Sequence, residues 1–171
     1  RVYVAMGSMG TAAGITLGLS VAEFPTEVRA VQVTPESVAS AERLDDLIEA
    51  TADAMCGFDP GCGCTVAVDT NVRVVDRYVA EGYGTPTDES RRAMELGASA
   101  GLVLDETYTA KTLAALIADA EAGMLSEARV VFWDTFDSHD FSAAAAEVDH
   151  RALPEEFHPY FEGDPVTGAR D

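Results

Sequence analysis

Arg1-Val2-Tyr3-Val4-Ala5-Met6 is followed by Gly7-Ser8-Met9-Gly10-Thr11-Ala12-Ala13-Gly14 and then by Ile15-Thr16-Leu17-Gly18-Leu19. An apolar run that feeds a glycine-rich octapeptide and then a second apolar stretch reads as a strand, a turn and a helix. That turn has the shape of an anion site. The first N–H groups of a helix have no intrahelical partners and lie at the positive end of its macrodipole, and glycines let a phosphate approach the backbone closely. Ser8 and Thr11 add hydroxyl donors. The spacing G-x-x-G-x-x-x-G is neither the dinucleotide fingerprint nor a Walker loop, which needs Gly-Lys-Ser/Thr. On local physics a tight turn without a ligand stands beside the phosphate reading.

Outward from this loop, apolar runs alternate with amphipathic stretches. Strands are expected over 2–6, 28–33, 72–79, 101–104 and 129–133, and helices over 11–22, 35–55, 88–100 and 108–125. The order implies an α/β fold: a mostly parallel, doubly wound sheet with helices on both faces. Polar residues alternate within 28–33, which suggests a strand nearer an edge. Ligands of such sheets bind outside the carboxyl ends of the strands, where Gly7 to Thr11, Tyr83, Tyr108 and Thr109 fall. Residues 1–137 read as the α/β domain and 138–171 as a C-terminal arm that packs its aromatics onto the body.

Charge is lopsided, with 30 acidic against 11 basic residues and a net −19; ten of the eleven basic residues are arginine. Such a surface repels nucleic acid and anionic lipid, so neither is expected as a partner. It also suits adaptation to salt. If so, salt should screen the self-repulsion, and the melting temperature should rise from dilute buffer to molar potassium chloride. A flat melting curve across that range would remove salt adaptation as the explanation. No apolar run approaches the ~20 residues needed to span a bilayer, and a cytoplasmic location is expected. Cys56, Cys62 and Cys64 are too few and too local for a disulfide framework, and they lack the fourth ligand of a zinc site, so no metal is expected. His139, His150 and His158 are scattered and read as surface or packing residues.

Two further segments carry a resemblance. They are Tyr83-Gly84-Thr85-Pro86-Thr87-Asp88-Glu89 and Leu102-Val103-Leu104-Asp105-Glu106-Thr107-Tyr108-Thr109-Ala110-Lys111, each at a strand-to-helix junction. Together with the glycine loop, and in the same order, they resemble the 1-aminocyclopropane-1-carboxylate deaminase / D-cysteine desulfhydrase branch of the tryptophan-synthase-like, fold type II pyridoxal-phosphate enzymes. That branch has a G-S-x-G-T-x-A-G phosphate loop, a tyrosine-glycine-x-Pro segment and an L-D-P-x-Y-x-G-K stretch. The resemblance covers most of residues 1–135.

It implies that Gly7, Ser8, Met9, Gly10 and Thr11 cradle the phosphate of pyridoxal 5'-phosphate, with Met9 where a small residue is commoner. It implies that Tyr83 and Tyr108 face a small amino-acid substrate as catalytic residues, and that Thr109 contacts the pyridine nitrogen. A carboxylate holds that last place in true aminocyclopropane-carboxylate deaminases, so threonine favours the desulfhydrase side. Structural alternatives stand beside these roles: a helix-capping hydroxyl for Thr109 and a core-edge ring for either tyrosine. Lys111, at i+3 from Tyr108, is either a partner that biases the tyrosine or a solvated helix lysine. The segment from Trp133 to Ser138 departs from the family's H-T-G-G, which leaves the substrate open. The family's Schiff-base lysine lies upstream of anything matched here, so the resemblance implies the C-terminal half of an enzyme, partnered by the N-terminal half of the same protein and assembled as a homodimer. A start inside a strand, without methionine or targeting segment, reads as a fragment or processed chain. A non-catalytic phosphate-binding module and an inactive structural domain are the rival readings.

Overall fold

The computed structural model describes residues 1–59, 61 and 70–162. The chain runs β1 (Val2–Met6), α1 (Gly10–Val21), β2 (Val28–Gln32), α2 (Ala41–Phe58), β3 (Val72–Val75), α3 (Asp88–Ser99), α4 (Thr109–Glu121) and β4 (Val131–Phe132). Two short helices follow, α5 (Ser142–Ala146) and α6 (Pro159–Glu162). The four strands form one sheet in the order β3-β2-β1-β4, every pair parallel. Strands are added in one direction from β1 to β3, and then β4 joins on the other side of β1. The carboxyl end of β1 is therefore the point where the winding reverses, and a crevice opens there in sheets of this kind.

Strand side chains alternate between the faces, and each face has its own core. Val4, Met6, Val28 and Ala30 pack with Ala13 and Leu17 of α1 and Leu44, Ile48 and Ala52 of α2. On the opposite face Tyr3 and Val31 pack with Tyr78, Ala93 of α3, and Ala114 and Ala115 of α4. The doubly wound α/β architecture expected from the sequence is the one observed. Leu44, Ile48 and Ala52 lie at i, i+4 and i+8 and make the buried stripe of α2, which explains how an 18-residue helix with many acids docks on one side.

Several boundaries differ from the sequence reading. β2 is one place in from the edge strand β3, and all five of its residues are buried. Its polar residues are tolerated because each has a partner: Arg29 pairs with Asp119 at 3.1 Å, and the Gln32 amide donates to the Thr34 carbonyl at 2.9 Å. Residues 101–104 form no strand; they close α3 through Leu102 N–H to Gly97 O and Gly101 N–H to Ala98 O, with Gly101 at φ 79°, a left-handed turn that suits glycine. The expected strand 72–79 stops at Val75, after which Tyr78 turns into the core under the Arg77 guanidinium, 4.8 Å above its ring. β4 is only two residues of the expected 129–133. α2 begins six residues later than expected, because Val38 and Ala39 N–H close a turn on the Pro35 carbonyl and Ser40 then caps the helix by accepting from Arg43 N–H. The arm does not pack its aromatics on the body: Phe141, Phe157, Tyr160 and Phe161 are exposed, and the arm instead stacks His150 on Phe161 with ring centres 5.3 Å apart. Cys62 and Cys64 lie outside the described residues. Among the described residues there is no group of three metal-binding side chains and no helix long and apolar enough to cross a membrane.

At the sheet end away from the crevice, Tyr3 Oη donates to Asp119 Oδ2 at 2.6 Å and ties β1 to α4. Burial, and then the hydrogen bond to the Asp119 carboxylate, push the Tyr3 phenol up to about 12. The fold therefore favours the protonated phenol. Its contribution is complete below the unfolded value of ~10 and is lost as pH rises through the folded value, up to about 2–3 kcal/mol. Urea unfolding at pH 9 and pH 11.5 should show a larger alkaline loss for the wild type than for Tyr3→Phe. Equal losses would show that Tyr3 is not the group responsible.

Candidate functional site

The cleft at the switch point has a volume of about 590 Å³ and is lined by Ala5, the run from Gly7 to Thr11, Thr34, Pro35, Val38, Tyr83, Tyr108 and Thr135. All five loop residues and both tyrosines named from sequence meet in this one space. Thr109 is not among the lining residues.

The loop side is the N-terminus of α1. Ser40 caps α2, Thr87 and Ser90 form a capping box on α3, and Asp105 caps α4, whereas no side chain caps the first turn of α1. Uncapped N–H groups at a helix start, with the macrodipole behind them, favour an anion. Met9 enters the helix at φ 69°, a left-handed conformation that costs a non-glycine residue about 1 kcal/mol. Its side chain packs against the α1–α2 core, which holds the backbone there. Gly10 has open space around its Cα. Backbone donors, the Ser8 and Thr11 hydroxyls, and room at Gly10 fit a phosphate group.

Tyr108 and Tyr83 make the facing wall. Their hydroxyls are hydrogen-bonded to each other, and the rings meet edge to face with centres 6.2 Å apart. The bond from Tyr83, followed by burial, pushes the Tyr108 phenol up to about 12. At neutral pH it holds its proton, so the hydroxyl can donate a hydrogen bond. The Tyr108 ring rests on Gly7: a Cβ there would come 3.0 Å from Tyr108 Cε1. A side chain at Gly7 would crowd that ring.

Asp105 sets the backbone of Tyr108. Its Oδ1 accepts from Thr107 N–H at 2.9 Å and Tyr108 N–H at 2.6 Å, and its Oδ2 accepts from Thr109 N–H at 3.0 Å. Thr109, 1% exposed, donates its hydroxyl to Asp105 Oδ2 at 2.7 Å and accepts from Asp105 N–H at 2.9 Å. That hydroxyl is committed to the cap of α4. Lys111 is not a solvated lysine: it is fully buried with no hydrogen-bond partner for Nζ, and burial lowers its pKa. It is not among the residues lining the cleft, and no hydrogen bond joins it to Tyr108. Thr34 and Thr135 are cleft residues that the sequence reading did not assign. A signal existed for each, since Thr34 follows β2 at a carboxyl end and Thr135 lies in the segment that departs from H-T-G-G.

A family profile described as pyridoxal-phosphate dependent enzyme matches residues 1–135. The D-cysteine desulfhydrase of Klebsiella pneumoniae (strain 342) is 32% identical over 117 residues, which are 68% of this chain and 33% of that protein. The D-cysteine desulfhydrase of Salmonella schwarzengrund (strain CVM19633) is 37% identical over 117 residues, with the same shares covered. A crystal structure of an ACC deaminase homologue superposes with a TM-score of 0.64 at 27% identity, covering 85% of this chain and 42% of that one. The chain thus spans about a third of the length of the curated relatives it matches.

Proposed function

Because the chain belongs to the pyridoxal-phosphate dependent enzyme family, we propose that it supplies the phosphate cradle and the proton-donating wall of a lyase or deaminase acting on a small amino acid. The activity is of the D-cysteine desulfhydrase type, releasing ammonia and a 2-oxo acid. The observation that carries this reading is the single cleft in which the uncapped start of α1 faces the Tyr83–Tyr108 pair. The relatives at 32% and 37% identity favour the desulfhydrase type.

When bound, the cofactor supplies an electron sink for charge that develops on the substrate. The chain's own residues do the rest. Backbone N–H groups of the loop, with the Ser8 and Thr11 hydroxyls, hold the phosphate. Tyr108, kept protonated by Tyr83, donates a proton or a hydrogen bond at the substrate. Thr109 contributes through Asp105, by fixing the start of α4 on which Tyr108 sits. The complete unit in this reading is this chain with the lysine-bearing N-terminal half, acting in the cytoplasm as a homodimer; that assembly rests on the resemblance alone.

The cradle and the covalent attachment are separable in this chain. Titrated with pyridoxal phosphate, it should bind the compound through the loop, and inorganic phosphate should compete. Borohydride reduction followed by peptide mapping should leave Lys111 unlabelled, since that lysine is fully buried and does not line the cleft. Absence of competition by phosphate would remove the cradle reading. Stoichiometric labelling of Lys111 would contradict the assignment of the cofactor to this cleft.

A further inference from the structure

Thr34 lies two residues beyond β2, is 7% exposed, and donates its hydroxyl to the Gly7 carbonyl at 3.0 Å. Its own carbonyl accepts from the Gln32 amide at 2.9 Å, and Gln32 is itself buried. Val33 N–H donates to the Met6 carbonyl at 3.1 Å, which continues the β1–β2 ladder beyond its last strand residues. The segment carrying Thr34 is thus fixed to the sheet. Gly7 is approached from two sides: the Thr34 hydroxyl donates to its carbonyl, and an added Cβ would come 3.0 Å from Tyr108 Cε1 and 3.9 Å from Val33 Cγ2.

We infer that Thr34 is a positioning residue that acts through Gly7, holding the anion-binding loop and the Tyr108 phenol in one fixed arrangement across the cleft. A carbonyl carries partial negative charge, so a Gly7 carbonyl bound to Thr34 is kept from turning toward an anion on the loop. The same bond fixes the surface against which the Tyr108 ring packs and from which its hydroxyl reaches Tyr83. Loss of the hydroxyl frees the Gly7 peptide, and both partners of that peptide lose their reference. The part concerning the loop rests on the cofactor reading given above; the part concerning Tyr108 does not.

The test compares Thr34→Val, which keeps the shape and removes the donor, with Thr34→Ser, which keeps the donor. Two quantities are read on this chain: the dissociation constants of pyridoxal phosphate and inorganic phosphate by calorimetry, and the alkaline ultraviolet titration of Tyr108, isolated by difference against Tyr108→Phe. Thr34→Val should weaken both phosphate-bearing compounds about tenfold, the scale of one hydrogen bond. It should also move the Tyr108 midpoint down from about 12 toward the ordinary tyrosine value, and Thr34→Ser should restore both.

A Thr34→Val protein with lowered melting temperature but unchanged dissociation constants and Tyr108 midpoint would overturn the proposal, leaving Thr34 a structural hydroxyl only. If the wild-type chain binds neither compound, the cofactor reading fails by itself, and the Tyr108 midpoint in Thr34→Val still decides: a fall supports the link and no change overturns it. Should Thr34→Val not fold, Thr34→Ala, which removes the same donor with a smaller side chain, is read in the same way, and an unmoved Tyr108 midpoint there would overturn the proposal too.

Discussion

Tyr108→Phe is expected to lower turnover by roughly 10²–10⁴-fold while leaving cofactor affinity intact, in a form of the protein that also carries the lysine-bearing N-terminal half. The phenol lines the cleft, is hydrogen-bonded to Tyr83, and holds its proton up to about 12. Phenylalanine keeps the ring that rests on Gly7 and removes only the hydroxyl. The loss should therefore appear in the chemical step and not in loading of the cofactor. Stability should fall only by the net value of one partly exposed hydrogen bond, about 1 kcal/mol. Rapid-mixing measurements on fully loaded enzyme, set beside equilibrium binding, separate the two effects. Unchanged turnover per folded molecule would take Tyr108 out of the reaction.

Asp105→Ala should have the largest effect on the fold itself. Its carboxylate accepts from three consecutive N–H groups and from the Thr109 hydroxyl, and the Thr109 side chain is buried. Removal strips the cap of α4, worth about 1–2 kcal/mol, and strands the buried hydroxyl at a further 1–3 kcal/mol or so. A total loss of about 2–5 kcal/mol is expected, read by urea unfolding. Asp105→Asn retains one acceptor oxygen and should lose less. A loss below about 1 kcal/mol for alanine would show that α4 is held by its packing on the sheet and not by this cap.

What could be read from the sequence follows from the range of the interactions that write it. The loop from Gly7 to Thr11 was legible because its signals, glycines and hydroxyls between an apolar run and a helix, lie within a few residues of each other. The parallel sheet was legible from the alternation of strands and helices. The full burial of β2 was not, because Arg29 reads as a solvated residue until Asp119, ninety residues away, comes beside it. Thr34 was hidden for the same reason: only the register of β1 on β2 carries it to Gly7. Thr109 shows a third case, in which the start of a helix was read correctly but no strand precedes it, and the direction of one hydroxyl depended on a carboxylate four residues earlier. Arm aromatics such as Phe141 and Tyr160 promised burial by composition, yet they are exposed.

The single lysine of the chain is enclosed in α4, so every other cationic side chain is a guanidinium or an imidazole. In the folded protein, reagents that acylate amines meet no side-chain target. Lys111 can react only when α4 lifts from the sheet and its neighbours separate, an event whose frequency is set by the free energy of opening the core. Acylation of that one residue, followed over time by the mass of the peptide that carries Lys111, is therefore a clock for core opening built into the sequence, with a native signal near zero and no competing lysine to correct for.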